Sequence, residues 1–275
     1  MLQPVSAYVL TLDSERYLER ILQQCWRFAA EVVVVDSGST DRTLAIAEDS
    51  GARVLHHPFE DFRRQRELAA AACRHDYIFY FDCDEVPDDS LVASIQARVA
   101  QGLTHSAYWV TRDWEVLNTP VRVVYPVRCP DRLPRLYDRR RCYWETDKLV
   151  HESLVAPQPV GQLDGRLTHK TFETHAEIEL KLQRYTDLAA LGLVRRLQQR
   201  QHASRWRALP HLLNSLLPSP LGALVKSYLI RGGWRDGWVG LILLGYTLRY
   251  SHLKHWKAAR MLWRDPQLTA ESLPG

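Results

Sequence analysis

Tyr77-Ile78-Phe79-Tyr80-Phe81-Asp82-Cys83-Asp84-Glu85-Val86-Pro87 is the stretch whose reading decides the fold. Five aromatic or aliphatic residues in succession predict a buried strand. The strand ends in three acids, Asp82, Asp84 and Glu85, and Pro87 closes the turn. Clustered carboxylates at the end of a buried strand are costly unless a positive group sits beside them. A divalent cation bridging phosphates meets that need, because hard cations take oxygen ligands. The acids also suit a plainer part, capping a helix that starts near Asp88 or Asp89.

Upstream, Val5 to Leu10 is a short apolar run followed by polar Thr11-Leu12-Asp13-Ser14. Tyr17, Leu18, Ile21, Leu22 and Cys25 then recur at helical spacing, with Asp13 or Ser14 as the cap. Glu31 and four valines predict a strand covered on both faces. It runs into Asp36-Ser37-Gly38-Ser39-Thr40-Asp41, and a helix through Leu44, Ile46 and Ala47 stops at Gly51. Arg53 to His56 reads as a third strand, Phe62 to Ala72 as a helix, and Asp88 to about Gln101 as another. Strands alternating with helices predict an α/β fold with a parallel, doubly wound sheet. Ligands in such sheets lie beyond the carboxyl ends of the strands. Three polar clusters, 11–14, 36–41 and 82–85, meet at that edge and predict a site for a polyanion with a metal. The chain has no G-x-G-x-x-G after its first strand and no G-x-x-x-x-G-K-[ST], which argues against a dinucleotide oxidoreductase and a P-loop NTPase.

From Ala107 to Val124 the pattern is extended, and Arg122 to Arg141 is dense in Arg, Pro and aromatics, as for strands and loops walling a cleft. Arg128, Arg132, Arg135 and Arg139 to Arg141 suit an anionic acceptor or, equally, a solvated basic face. Val150-His151-Glu152 precedes a turn region at Pro157 to Gly165, and Glu177 to Leu197 is helical. The tail from Trp206 to Trp263 mixes aliphatic clusters with Arg, Lys, Trp and Tyr. Pro210, Pro218, Pro220 and Gly232-Gly233 predict that it breaks into short helices. Basic, aromatic and aliphatic together is the composition of an interfacial membrane helix. The same helices would also suit packing on the catalytic domain or on a second subunit.

The chain has 275 residues, 46% hydrophobic and 25% charged, as for a globular protein. Its net charge of +4 does not by itself imply nucleic acid. The distribution is informative: Lys181 to Arg264 holds fifteen Lys and Arg against two acids, Asp187 and Asp236. Such asymmetry predicts a basic appendage meeting an anionic surface. The aliphatic clusters suit lipid better than a phosphate backbone, so no nucleic-acid partner is expected. Five scattered cysteines include no C-x-x-C pair, which fits reduced thiols in a cytosolic protein. No signal peptide is read at the N-terminus, and no apolar run reaches the length of a membrane span.

Thr11-Leu12-Asp13, Val32 to Asp41, Gln65-Arg66 and Phe81-Asp-Cys-Asp-Glu85 together resemble glycosyltransferase family 2, in order and spacing, over residues 5 to 100. The Asp-Ser-Gly-Ser-Thr-Asp run and the later Val-His-Glu resemble the bacterial branch that includes lipopolysaccharide-core β-1,4-glucosyltransferases. The resemblance implies a GT-A fold, a mixed, mainly parallel sheet with flanking helices, here with a C-terminal amphipathic helical appendage. It divides the chain into a catalytic domain, 1–175, with a nucleotide-sugar half (1–100) and an acceptor half (101–175), and a helical, membrane-associating region, 176–275. It implies a UDP-sugar donor, a lipid-linked glycan acceptor, Mg2+ or Mn2+, and a cytoplasmic protein peripheral on the inner face of the membrane. Thr11 and Asp13 lie where the family holds the nucleobase, Asp36 where it contacts base or ribose, and Arg66 where a helix-borne cation approaches the nucleotide. Asp82 and Asp84 match its D-x-D, Asp82 toward ribose and Asp84 on the metal; His169 is a candidate further ligand. The chain departs from the branch at Asp13-Ser14-Glu15, usually Asn-Glu-Glu, and at Gln65-Arg66-Glu67, usually Gln-Lys-Asn.

An inverting transfer needs a base for the acceptor hydroxyl and charge stabilisation on the departing diphosphate. Glu152, beside His151, is the first candidate for the base, with Glu145, Asp147 and Glu85 as rivals. Two other readings remain open at this point. A sugar nucleotidyltransferase would share the sheet but usually carries an early Gly-rich loop, and Val5 to Asp13 contains no Gly. A non-catalytic membrane adaptor would not need the D-x-D acids.

Overall fold

The computed structural model describes residues 3–124, 127–145, 153–198, 213 and 218–264. The chain forms two compact units, one of residues up to Asp113 with Pro130–Thr171, the other of Trp114–Cys129 with the residues from Phe172 onward.

The first unit begins with alternating elements: β1 (Val5–Thr11), α1 (Glu15–Cys25), β2 (Glu31–Asp36), α2 (Thr43–Asp49), β3 (Arg53–His56), α3 (Phe62–Ala72) and β4 (Tyr77–Asp82). β5 (Glu85–Pro87), α4 (Asp89–Gln101) and β6 (Ala107–Val116) follow. After an excursion through β7 (Thr119–Val121), β8 (Val123–Val124) and β9 (Val127–Arg128), the chain returns in β10 (Asp131–Asp138), β11 (Tyr143–Trp144), β12 (Leu154–Val155) and β13 (Gly161–Phe172). The main sheet has the order β3-β2-β1-β4-β10-β6-β13-β5. Its first four strands are parallel, β10 is antiparallel to both β4 and β6, and β13 is antiparallel to β5. This is the mixed α/β sheet with flanking helices that the sequence predicts. The acids after β4 thus stand where the parallel half meets the antiparallel strands.

Period-two alternation builds the core on both faces. Val5, Ala7, Val9, Val32, Val34, Phe79 and Phe81 pack with Leu18, Ile21 and Leu22 of α1 and Leu91 and Ile95 of α4. Tyr8, Val33, Val35, Ile78 and Tyr80 face the other way, onto Ala69 of α3, Tyr137 and Trp144. The helix starts are set by side chains: Asp61 caps α3 through the Arg64 N–H and Asp88 caps α4 through the Leu91 N–H, both at 2.7 Å. One predicted turn region is shorter than expected, because β13 already begins at Gly161 within it.

In the second unit Trp114, Val116, Val121, Phe172, Ile178, Leu182, Leu243 and Tyr246 share one core. That shared burial places residues 114–129 with the C-terminal helices, a different division from one at 175/176. Among the described residues its helices include α5 (His175–Gln198), α6 (Pro218–Ala223), a π-helical run (Leu224–Ile230), a 3-10 turn (Gly233–Asp236) and α7 (Gly237–Arg264). The tail is therefore not all short helices: α7 runs for 28 residues, and Gly240 and Gly245 lie inside it. No described helix is long and apolar enough to cross a membrane.

Candidate active site

The loops after β1 and β2 are stitched to each other. Thr11 Oγ1 donates to Asp36 Oδ1 at 3.0 Å, and the Asp13 N–H donates to Ser39 Oγ at 2.9 Å. Asp13 Oδ1 accepts from the Thr40 N–H at 2.8 Å, and the Ser14 N–H donates to Thr43 Oγ1 at 2.7 Å. Ser14 is the N-cap residue of α1, as one of the two expected, but its side chain makes no capping hydrogen bond. That bond comes from the other loop, where Asp41 Oδ2 accepts the Glu15 N–H at 3.0 Å and Glu15 Oε2 in turn accepts the Arg42 N–H at 3.1 Å. Asp13 holds φ +47° to make these bonds, a left-handed conformation that Asp tolerates better than most residues.

Asp36 is fully buried, and its Oδ2 accepts the N–H groups of Gly38 and Ser39, each at 2.9 Å. Burial raises its pKa, but the Ser39 hydroxyl, these two N–H groups and Thr11 outweigh it and hold the carboxyl below its ordinary range. Thr11 and Asp36 thus shape the floor of the loop, while Leu12 and Asp13 are exposed at its rim. Gln65 fixes the next loop, its Nε2 donating to Ser37 Oγ and to the His57 carbonyl, each at 3.0 Å.

At the end of β4 the acids divide into two sets. Asp82 is held in a fork, Oδ1 at 2.8 Å from Arg66 and Oδ2 at 3.2 Å from Arg135. Glu85, with no side-chain exposure, pairs with Arg135 and lies 2.8 Å from Arg112, which itself grips Asp131 at 2.7 and 3.1 Å. Three guanidinium groups thus interleave with three carboxylates. The Tyr80 ring lies between two of them, its centroid 5.0 Å from Arg66 and 4.2 Å from Arg135, and Trp144 adds a second aromatic face for Arg66 at 5.2 Å. Burial raises the Asp82 pKa; Arg66 and Arg135 outweigh it and hold the carboxyl well below its usual range.

Asp84 meets an imidazole. Its Oδ2 lies 3.2 Å from His169 Nε2. The backbone explains the meeting: β13 pairs His169 opposite Glu85, and the Lys170 N–H donates to the Asp84 carbonyl at 2.8 Å. Two part-exposed side chains with oxygen and imidazole donors therefore meet at the carboxyl end of the central strand. Among the described residues no three His, Cys, Asp or Glu side chains form a closed metal cage. That set fits Mg2+ or Mn2+ of the kind that takes one or two protein ligands and completes its shell with substrate phosphates and water. Cys83 packs against the core; burial and the neighbouring Asp84 push its thiol up to about 12, so it is protonated and inert at neutral pH.

The structure changes several of the residue readings. Glu85 is not a candidate base, since it is sealed between two arginines. Arg135 has 1% side-chain exposure and belongs to the network, not to an acceptor surface. Arg139 donates to the carbonyls of Ala70 and Cys73 beside the end of α3, and Arg140 pairs with Asp138 and Asp76. Arg128 and Arg132 are exposed. Arg66 meets Asp82 first, so its charge is already engaged. Glu152, His151 and Asp147 lie outside the described residues; Glu145 lies just after β11. Arg112 and Asp131 escape a sequence reading because only the β6–β10 register sets them opposite one another.

The model of the family described as "Glycosyl transferase family 2" matches residues 6–149. A lipopolysaccharide core biosynthesis glycosyltransferase, LpsC, of Rhizobium meliloti is 29% identical over 87% of this chain and 86% of its own length. An uncharacterized glycosyltransferase of Rickettsia bellii is 38% identical, over 30% of this chain and 28% of its own. Among solved structures, glucosyl-3-phosphoglycerate synthase of Mycobacterium tuberculosis, in complex with Mn2+, UDP and glucosyl-3-phosphoglycerate, is 23% identical with a TM-score of 0.34. That match covers 41% of this chain and 44% of the synthase, and at that score it establishes neither site nor substrate.

Proposed function

The chain belongs to glycosyl transferase family 2 and is a glycosyltransferase, and from that premise we propose that it moves a hexose, glucose favoured, with inversion from a UDP-sugar to a lipid-linked glycan such as a lipopolysaccharide core. The name borne by the Rhizobium meliloti relative supports that acceptor class. The observation that carries the reading is the approach of Asp84 to His169 at the strand end, beside the pinned Asp82. These residues would hold Mg2+ or Mn2+, which when bound supplies positive charge against the diphosphate leaving group. The chain's own part is orientation. Arg66 and Arg135 fix the Asp82 carboxylate toward the donor ribose, and β13 fixes the Asp84 turn. The stitched loops carrying Thr11, Asp13 and Asp36 present a preformed rim to the nucleobase. The base that takes the acceptor proton is assigned to Glu152, with His151 beside it. The site faces the cytoplasm, with the protein peripheral on the inner face of the membrane.

The test is UDP release from UDP-glucose with Mn2+ titrated in. For Asp84→Ala we expect turnover to fall at least about a hundredfold, in keeping with the several kcal/mol a Lewis-acid cation supplies, with the fold intact by circular dichroism. His169→Ala should raise the Mn2+ concentration needed for half-maximal rate. Near-normal turnover in Asp84→Ala would remove the metal assignment. Release of pyrophosphate from UTP and glucose 1-phosphate, with no UDP released from UDP-glucose, would make the chain a nucleotidyltransferase.

A further inference from the structure

We propose that Leu221 to Leu241 of the second unit is a docking surface for an anionic phospholipid bilayer, a proposal that takes its partner class from the lipid-linked acceptor above. Large apolar side chains crowd the outside of this short span. Ile230 and Trp238 are each 75% exposed, and Leu221, Leu229, Trp234 and Leu241 are about half exposed. Six large apolar side chains exposed in one short span exceed the scattered single residues that need no explanation.

The fold decides which residues face out. Ala223 and Ser227 are buried on the inner side of α6 and the π-helical run, and Val239, Leu243 and Tyr246 are buried on the inner side of α7. The reversal between them passes through Gly232, at φ +81°. It is tight because Gly240 has no side chain: a Cβ there would stand 2.2 Å from the Gly233 carbonyl oxygen. The turn therefore presents Ile230, Trp234 and Trp238 on a rigid support.

Charge selects lipid as the occupant. Lys226, Arg231 and Arg235 lie in the same span, and the one acid, Asp236, turns its carboxylate to the Arg122 N–H at 2.9 Å. The Arg235 guanidinium stands 5.1 Å from the Trp234 ring centroid, so cation and indole reach the interface together. Along α7 the exposed residues Trp256, Arg260 and Trp263 continue the same mixture, while Arg249 is held by Glu179 at 2.7 and 2.9 Å. Indoles at headgroup depth with cations beside them form an interfacial anchor, whereas the core of a protein interface is depleted of Lys.

The experiment is flotation of the full chain with vesicles of phosphatidylethanolamine and phosphatidylglycerol, and with phosphatidylcholine vesicles as the neutral comparison. We expect binding to the anionic vesicles only. Trp234→Ser with Trp238→Ser, and separately Lys226→Glu with Arg231→Glu, should each weaken it by about tenfold or more. Cleavage of UDP-glucose in the absence of membranes should be unchanged in both. Undiminished vesicle binding in both double variants would overturn the surface. So would a wild-type dimer that the tryptophan variant dissolves, since a second copy would then be the occupant. A wild type that ignores anionic vesicles yet releases UDP ends this proposal and leaves sugar transfer standing. Vesicle binding without UDP-sugar cleavage does the reverse.

Discussion

Tyr80 lies between two guanidinium groups, and Asp82 ties both of them together at its own end of the strand. Fully buried ion pairs add little net stability, but breaking one by removing a single partner is severe. Glu85→Ala should therefore destabilise by up to about 3–5 kcal/mol, because it leaves buried Arg135 with Asp82 alone and Arg112 with Asp131 alone. Urea denaturation measures this. Replacing Glu85 and Arg135 together by Met should recover part of the loss, as expected if the cost comes from the orphaned charge. The depressed carboxyls of Asp36 and Asp82 have a pH signature. A carboxyl whose folded pKa lies below its unfolded value stabilises fully above that unfolded value, about 3.9 for Asp. The contribution disappears as pH falls through the folded value. The urea midpoint should thus be insensitive to these groups from pH 7 to about 5 and fall steeply below about pH 4. Asp36→Asn should flatten that acid limb.

At the scale of elements, β13 sets where the metal-site candidates meet. Gly165 within it has φ +88°, and a Cβ there would come 2.1 Å from the Leu91 nitrogen at the start of α4. The strand is also pinned by the Asp164 N–H to Ser94 Oγ at 2.9 Å and the Arg166 N–H to Asp88 Oδ1 at 3.0 Å. Gly165→Ala should destabilise by more than about 1 kcal/mol through strain and clash together. It should also raise the Mn2+ requirement, since His169 lies four residues along the same strand. Thermal unfolding and metal titration read the two effects separately. An alanine variant with native stability and native Mn2+ dependence would show that β13 does not fix the site. The parallel strands and their helices were legible in the sequence, because each is a short apolar run between breakers. β13 was less so: its start reads Gly-Gln-Leu-Asp-Gly-Arg, whose glycines look like a turn until α4 is seen packed against them.

Across the whole molecule, charge and composition divide the chain where local pattern does not. The cationic C-terminal half and its interleaved tryptophans are visible without coordinates. What the sequence hid is burial, which decides whether a charged residue is surface or core. Arg135 and Arg132 look alike in a basic stretch, yet one is sealed against Tyr80 and the other meets solvent. The length of α7 was hidden too, since the breaks at Pro210, Pro218, Pro220 and Gly232-Gly233 all precede it and only the structure shows 28 residues running on without one. If the basic half acts through screened electrostatics, raising NaCl from about 0.05 to 0.5 M should release the chain from anionic vesicles. UDP-sugar cleavage away from membranes should change little over the same range.

The bonds between the loops after β1 and β2 have a consequence for how this protein changes over time. Asp13, Asp41 and Glu15 each accept a main-chain N–H of the facing loop, from Thr40, Glu15 and Arg42, some 26 or 27 positions away. Every residue except proline supplies that N–H, so a lineage can replace Thr40 or Arg42 without losing these bonds, whereas loss of an accepting carboxylate loosens the facing loop. Drift across these two loops should therefore spare the three carboxylates, and a library that keeps them while varying Thr40 and Arg42 should hold more folded members than one that varies the acids.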